Sequence, residues 1–221
     1  MTTYGQMFGR IEDEILRTDI NANVRQAVLS AIRHYEDERF WFLEGNNGSG
    51  VNTVANQTTY TVSNEWIEVD SYTVEVASNE YQLIPRTLDW FKEVNTNAQT
   101  VVGIPTDYAF HADTFLHYPT PNGVYPVRIF GLQRLIPQSQ TTLSDTASSD
   151  AWTTHGEELI RNRALANIYA TKLRNPAIAA NYGGPHPLTG EPMGWEGAAY
   201  KKLKKRTNQK IATNTLQPTE W

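Results

Sequence analysis

Two histidines and an aspartate near the middle of the chain are residue types that bind metal ions. His111, Asp113 and His117 fall in a stretch whose pattern predicts a β-hairpin. Residues two apart in a strand share a face, so His111 and Asp113 would lie together, and His117 could approach from the return strand. Three ligands are enough for an open zinc site. Polar residues on the outer face of a hairpin are the commoner situation, so we predict neither a metal ion nor a cofactor.

Three consecutive carboxylates, Glu36, Asp37 and Glu38, are candidates for acid–base catalysis. On a helix, neighbouring residues point about 100° apart, so these carboxylates would not converge on one bond. Arg33 lies four residues before Asp37, and Arg39 lies three residues after Glu36, which are spacings typical of surface ion pairs. The pattern therefore favours a solvated helical face over a catalytic pair.

Sequence motifs of several enzyme classes do not occur in the chain. It has no Gly-x-Ser-x-Gly nucleophile elbow, no phosphate-binding glycine loop with its lysine, and no His-Glu-x-x-His zinc motif. It also has no cysteine, which excludes disulfides and thiolate-bound metals. We therefore predict that the protein is not an enzyme.

Charge is distributed unevenly along the 221 residues. Residues 1–150 hold 9 Lys and Arg against 19 Asp and Glu, a balance of −10, whereas residues 151–221 hold 10 against 5, a balance of +5. Together they give the net charge of −5. A basic C-terminal part on an acidic body indicates either an acidic partner or a solvated basic helix. The mean hydropathy of −0.51 and the lack of a long apolar run predict no membrane span.

The basic residues are concentrated in a predicted final helix, residues 195–211, which is followed by a polar tail. Such a helix could hold phosphates without sequence preference, could be solvated, or could bind an acidic protein. We favour the protein partner, because the acidic remainder of the chain would be repelled by DNA. The predicted partner-binding residues are Trp195, Lys201, Lys202, Lys204, Lys205, Arg206, Leu216 and Trp221.

Two helices are predicted at the N-terminus, where they would pack as an antiparallel pair. The first covers residues 3–18, with Thr3 and Gln6 as a capping box. The second covers residues 21–43, has apolar residues at helical spacing, and would be capped by Asn21 or Asn23. We expect the second helix to be the central element of the fold.

The middle of the chain changes to a period of two, which predicts β-strands. Residues 46–50, rich in Asn and Gly, are expected to interrupt the chain before this region. Short strands with regular turns are typical of an antiparallel sandwich or small barrel. The predicted strands cover residues 58–62, 66–77, 81–84, 108–111, 115–118 and 125–135, with a helical turn in 87–94.

A third strong helical pattern covers residues 155–174. Thr154 and Glu157 are spaced as a capping box, and Asn175-Pro176 should end the helix, because a residue before proline disfavours helical geometry. Residues 183–192 are predicted to be a loop. The fold class is therefore α+β, with a helical bundle of residues 1–45 and 150–182, an inserted β domain of 46–149, and a basic helix and extended arm in 183–221.

The order of five short motifs resembles that of the head–tail adaptor, or connector, proteins of short-tailed bacteriophages. The motifs are an aromatic run at a helix end, a Gln-x-x-Tyr strand, a Gly-x-Pro-x-x-Tyr-Ala element, a Pro-x-Pro turn before a Tyr-x-Val-x-Ile strand, and a tryptophan before a Glu-Leu-Ile helix. Here they are residues 38–42, 57–60, 103–109, 119–129, and Trp152 with residues 158–160. The resemblance covers residues 10–175, and nothing beyond residue 183 takes part in it.

This resemblance implies a non-enzymatic structural protein of the virion. Proteins of that family form a dodecameric ring under the portal protein, bind a tail nozzle or tail tube protein below, and leave a central channel. DNA passes through the channel during genome ejection without sequence-specific binding. The implied location is the neck of the virion, after synthesis in the host cytoplasm, with no membrane involved.

Two other functions compete with this one. A nucleic-acid-binding module acting through residues 195–210 would bind duplex DNA in a salt-dependent way. A carbohydrate-binding or carbohydrate-hydrolysing tail protein would use the aromatic residues of the β region. Hydrolysis needs two convergent carboxylates, and the β region shows no such pair.

Overall fold

The computed structural model describes residues 2–61, 66–95, 101–112, 114–143, 149–186 and 189–214. The chain divides into two compact units. Met1–Leu43 and Gln138–Trp221 make up the first, which we call the helical unit, and Glu44–Pro137 make up the second, the β unit. The β unit is thus inserted between helices that are distant in sequence.

Seven α-helices occur in the described residues, six of them in the helical unit. They are α1 Tyr4–Ile15, α2 Asn21–Tyr35, α3 Leu88–Asn95, α4 Ala151–His155, α5 Glu157–Thr171, α6 Pro176–Tyr182 and α7 Gly194–Asn214. A 3-10 turn, Trp41–Leu43, follows α2. None of the described helices is both long and apolar enough to cross a membrane.

The first helix begins as the sequence predicts. The Thr3 hydroxyl accepts a hydrogen bond from the Gln6 backbone N–H at 3.2 Å, and the Gln6 side-chain oxygen accepts one from the Thr3 N–H at 3.0 Å. This reciprocal capping box satisfies two N–H groups that lack partners in the helix. The helix ends three residues before the predicted end, at Ile15, because Leu16 adopts a left-handed conformation with φ of 56°.

The second helix is shorter than predicted. It ends at Tyr35, the last residue of the apolar pattern, whereas the predicted helix extended through the charged residues 36–39 to the aromatic run at 40–43. The aromatic residues beyond it form the 3-10 turn, in which the Leu43 N–H donates to the Phe40 carbonyl at 2.9 Å. The Phe40 ring is fully buried and packs edge-on against Trp152, with 6.1 Å between ring centroids. The aromatic run therefore forms a turn after the helix, with Phe40 and Leu43 buried.

The start of α2 also differs from the prediction. Its N-cap residue is Ile20, which makes no side-chain capping hydrogen bond, so the prediction that Asn21 or Asn23 caps the helix is wrong. The Asn21 side chain instead donates to the Glu12 carboxylate at 2.7 Å and accepts from Arg25 Nε at 2.6 Å. The amide therefore links α1 to α2.

The central element of the helical unit is α5, not α2 as the sequence predicted. The α5 helix contacts α1, α2, α4, α6 and α7. Buried positions occur around most of its circumference, as expected for a helix enclosed on several sides. Small side chains at Ala164 and Ala166 allow neighbouring helices to approach closely. The buried residues of α5 are Leu159, Ile160, Asn162, Ala164, Leu165, Ala166 and Ile168.

The predicted capping box of Thr154 and Glu157 is wrong. A separate short helix, α4, precedes α5, and α5 begins after Gly156 without a side-chain cap. The capping box lies one turn earlier. There the Asp150 carboxylate accepts from the Thr153 N–H at 3.0 Å, and the Thr153 hydroxyl accepts from the Asp150 N–H at 3.0 Å.

The α6 helix was not predicted. Its N-cap, Asn175, accepts a hydrogen bond from the Ile178 N–H at 3.2 Å, and Pro176 occupies the first helical position. Proline is favoured there because the first N–H groups of a helix have no intrahelical partner. The Asn-Pro pair, which we expected only to end a helix, therefore begins one.

Ten β-strands occur in the described residues of the β unit. They are β1 Glu44–Asn52, β2 Thr59–Thr61, β3 Trp66–Val76, β4 Asn79–Gln82, β5 Ile84–Pro85, β6 Val102–Gly103, β7 Asp107–His111, β8 Thr114–Tyr118, β9 Thr120–Pro121 and β10 Pro126–Gln133. One four-stranded sheet has the order β1-β10-β3-β4, and the second has the order β2-β8-β7-β5. The β6 and β9 strands form a separate pair.

The two four-stranded sheets share one hydrophobic core. Tyr72 on β3 stacks on Phe115 of β8, with 4.5 Å between ring centroids, and on Tyr108 of β7 at 4.8 Å. The Tyr72 hydroxyl is hydrogen-bonded to His117 Nε2 at 2.6 Å. Side chains from both sheets thus meet in one layer, which is the arrangement of a β-sandwich.

The β unit departs from the prediction in three respects. The β1 strand runs through residues 46–50, which we expected to interrupt the chain, and its pairing with β10 shifts register between Asn47 and Val51. A register shift of this kind accommodates extra residues without ending the strand. The short pairs β5–β7 and β6–β9 are parallel, so the unit is not wholly antiparallel. Residues 66–76 form one strand, as one of the two predicted alternatives has it, but the return strand β4 begins at Asn79, within the predicted turn.

Candidate partner-binding surface

The basic helix predicted near the C-terminus is α7, which packs against α5 and α6. Its inward side carries few apolar residues. Ala199 and Leu203 are buried, together with the polar Glu196 and Thr207. Polar contacts therefore contribute much of what fixes α7 to the helical unit.

A fully buried carboxylate, Glu196, fixes the first turn of α7. It accepts hydrogen bonds from the Tyr35 hydroxyl, from Arg163 Nη1 at 3.2 Å and from the Gly184 N–H at 3.0 Å. Burial, reinforced by the hydrogen bond to Glu196, raises the pKa of Tyr35 well above its ordinary value. A side chain at Gly183 would collide with the same carboxylate. A buried carboxylate is tolerated only when its charge and oxygens are paired in this way.

Two of the lysines of α7 form ion pairs within the helical unit. Lys202 forms an ion pair with Glu158 at 3.0 Å, and Lys204 forms one with Glu38 at 2.5 Å. Lys204 Nζ also lies 5.3 Å from the centre of the Phe40 ring, a distance typical of a cation–π contact. These two lysines connect α7 to its own helical unit.

Two other lysines point away from the unit. Lys201 and Lys205 are exposed and lie one helical turn apart, and no ion pair of either is found within the described part of the chain. We call them the outer lysine pair. Arg206 is exposed on an adjacent ridge. Burial, together with the nearby Lys210 and Arg206, lowers the pKa of His155.

Trp195, the aromatic residue predicted to bind a partner, is 55% exposed. Its ring packs edge-on against Tyr182, with 4.9 Å between centroids, and Tyr182 stacks on Tyr169 at 5.4 Å. One side of the indole is thus supported by the helical unit and the remainder faces solvent. The other two predicted anchors, Leu216 and Trp221, lie outside the described residues.

The two histidines of the metal candidate lie on opposite faces of the β7–β8 hairpin. Tyr108 pairs with His117 across the hairpin, and His111 is three residues farther along the strand of Tyr108, so it faces the other way. Burial lowers the pKa of His117 to about 4, whereas His111 is exposed. Asp113 lies outside the described residues. Among the residues that are described, no group of three or more His, Asp or Glu could hold a metal ion.

Two of the three consecutive carboxylates, Glu36 and Glu38, have different partners. Glu36 is buried and forms an ion pair with Arg33 at 2.7 Å. Glu38 accepts from the Tyr200 hydroxyl at 3.2 Å in addition to its ion pair with α7. Glu36 and Glu38 thus make structural contacts just after the end of α2.

The sequence matches a known protein family over most of its length. The family model described as SU10 adaptor protein matches residues 2–185. The chain belongs to the SU10 adaptor protein family. This is a family of bacteriophage adaptors, so the chain is a structural component of a virion. No curated protein matches the chain.

The SU10 adaptor match extends over α1 to α6 and the whole β unit and ends before α7. It agrees with the resemblance to phage head–tail adaptors in the sequence, which also stops before the basic helix. Structural adaptor families are typically non-enzymatic. Because the family match ends before α7, the arrangement of α7 must be understood from its own contacts.

Sequence reasoning missed Glu196, the residue that anchors the basic helix of this SU10 adaptor. The signal available was a lone carboxylate in a run dominated by lysine, two residues after Gly194. Gly194 has φ of 61°, and a side chain there would collide with the Asn181 carbonyl. The partners of Glu196 are far away in sequence, so the spacing of residues within the helix could not reveal the contact.

Proposed function

We propose that this SU10 adaptor protein forms a ring between the portal and the tail of its phage. The observation that carries the proposal is the family match over residues 2–185, which makes the chain a phage adaptor. In this proposal the ring is dodecameric and contacts the portal on one side. A tail nozzle or tail tube protein binds the other side, and DNA passes through a central channel during genome ejection.

The exposed residues of the C-terminal region are the proposed contacts to the portal or to a neighbouring subunit. A supported but exposed aromatic ring such as Trp195 suits an anchor in a partner's pocket. Lys201, Lys205 and Arg206 supply positive charge that complements an acidic partner. Leu216 and Trp221 remain proposed anchors in the tail. Lys202 and Lys204 also remain proposed contacts. Each forms an ion pair with a carboxylate of the helical unit, so the outer lysine pair is the more available part of the surface.

The proposal is tested by measuring mass. We expect light scattering on the purified protein alone to give a monomer, and the mixture with the portal of its phage to give a ring-sized complex. If the mass of the portal does not change when the full-length protein is added, the proposed function is wrong.

Exposure of Lys201, Lys205 and Arg206 also supports a second function, a nucleic-acid-binding module acting through α7. The charge of the β unit argues against it, because residues 44–137 hold 4 Lys and Arg against 10 Asp and Glu. This function predicts binding of duplex DNA that weakens steeply as salt increases. A flat titration at low salt would eliminate it.

A further inference from the structure

The two units of the chain contain surfaces of opposite charge. Residues 194–214, which form α7, hold 6 Lys and Arg against one carboxylate, and that carboxylate is the buried Glu196. The β unit holds 4 Lys and Arg against 10 Asp and Glu. A basic helix on one copy and an acidic unit on another therefore attract each other when copies lie side by side.

The outer lysine pair is presented as a rigid ridge. Lys201 and Lys205 are separated by one helical turn, about 6 Å along the axis, on the face opposite the buried Ala199 and Leu203. The helix beneath them is fixed by the buried contacts of Glu196. A complementary surface would carry two carboxylates at the same spacing.

Such a pair of carboxylates occurs on α3, the helix of the β unit. Asp89 and Glu93 are exposed and are also one helical turn apart. The Asp89 side chain is 93% exposed, and its ion pair with Lys92 is long, at 3.4 Å, and open to water, so it is easily rearranged. Phe91 is buried on the other side of α3, which holds this acidic ridge in place.

We propose that Lys201 and Lys205 of one copy bind Asp89 and Glu93 of a second copy. The inference rests on the proposed function, because a ring places copies beside one another, and it names the surfaces that meet. Each copy would use two different patches, one on α7 and one on α3. Contacts of this head-to-tail kind are the ones that close into rings. Exposed ion pairs are weak, so the contact adds to ring assembly, and in the protein alone it gives only a weak self-association that is measurable at high protein concentration and low salt.

Charge reversal tests the proposal in the full-length protein. Each reversal changes the net charge by two, so Lys201→Glu with Lys205→Glu takes the chain from −5 to −9, and Asp89→Lys with Glu93→Lys takes it to −1. The variant with all four changes returns to −5. Self-association is measured by sedimentation equilibrium at low ionic strength, where screening is least. Circular dichroism checks that each variant is folded.

We expect both two-residue variants to associate about tenfold more weakly than the natural chain, and the four-residue variant to recover association. Net charge alone predicts another order, because the −1 variant would repel itself least and associate most. The proposal is overturned if the −1 variant associates most, if the four-residue variant does not recover, or if the natural chain shows no attraction at low salt.

A single-residue control separates the outer lysine pair from general charge effects. Lys205→Glu and Lys172→Glu change the net charge equally, and Lys172 is exposed at the end of α5 with no ion pair found in the described residues. Only Lys205→Glu should weaken association, and equal weakening would contradict the assigned surface.

A charge-reversed protein that still forms portal-bound rings at the natural yield would refute this contact while leaving the proposed ring intact. A natural chain that forms no such rings would refute the proposed function itself.

Discussion

Removing the Glu196 carboxylate should strongly destabilise the helical unit. In Glu196→Ala, the Tyr35 hydroxyl, the Arg163 guanidinium and the Gly184 N–H lose their shared acceptor. The Arg163 side chain is only 18% exposed, so its charge would be left buried without its partner. Removing one member of a buried ion pair costs about 3–5 kcal/mol of unfolding free energy. We expect a loss of this size in urea unfolding followed by circular dichroism at 222 nm.

Two matched variants show whether burial causes the effect. Glu196→Gln keeps an oxygen acceptor but loses the charge, and we expect it to cost about 1–3 kcal/mol. Glu158→Gln removes a carboxylate whose ion pair with Lys202 is more than half exposed on both sides, so it should cost less than about 1 kcal/mol. If Glu196→Ala proved as mild as Glu158→Gln, the reasoning that α7 is fixed by a buried polar contact would be refuted.

Three further predictions concern single positions. The unfolding free energy of the β unit should fall by about 3 kcal/mol as the pH drops from 6.5 to 4. The reason is that burial lowers the pKa of His117 to about 4, so in this range the unfolded chain binds a proton that the folded chain does not. The fall should be absent in His117→Leu, and its persistence there would contradict the assignment to His117. Replacing Leu16 with glycine should stabilise the protein by about 1 kcal/mol, because Leu16 is 88% exposed and has φ of 56°, a backbone conformation that glycine adopts without strain. A lower melting temperature of the variant would argue against strain at this position. Asp150→Ala should lower the unfolding free energy measured in urea by about 1–3 kcal/mol, because Asp150 caps α4 and accepts a hydrogen bond from the Tyr4 hydroxyl at 2.5 Å. An unchanged unfolding midpoint would mean that neither contact contributes to stability.

Features with local causes could be predicted from the sequence. The capping box at Thr3 depends on two residues three positions apart, and the β7–β8 hairpin depends on alternation within a short stretch. Where packing with distant residues decides the outcome, the prediction was wrong. The predicted second helix extended to residue 43, but it ends at Tyr35, and Phe40 beyond it packs against Trp152, which lies more than a hundred residues away.

The same distinction applies to the candidate surface. Sequence spacing showed that residues 201–206 are strongly basic, but it could not show which cations face outward. That division depends on Glu38, which follows α2, and Glu158, which lies on α5, because these carboxylates engage Lys204 and Lys202. Likewise, the central position of α5 follows from contacts with five other helices, none of which is visible in the spacing of its own residues.

The most direct test of the account is electron microscopy of the neck in purified virions of this phage. The account predicts a ring of density between portal and tail into which copies of the helical unit and the β unit fit, with α7 on the side of an acidic neighbour. A neck without density for this protein would contradict the central claim that it is a ring-forming head–tail adaptor.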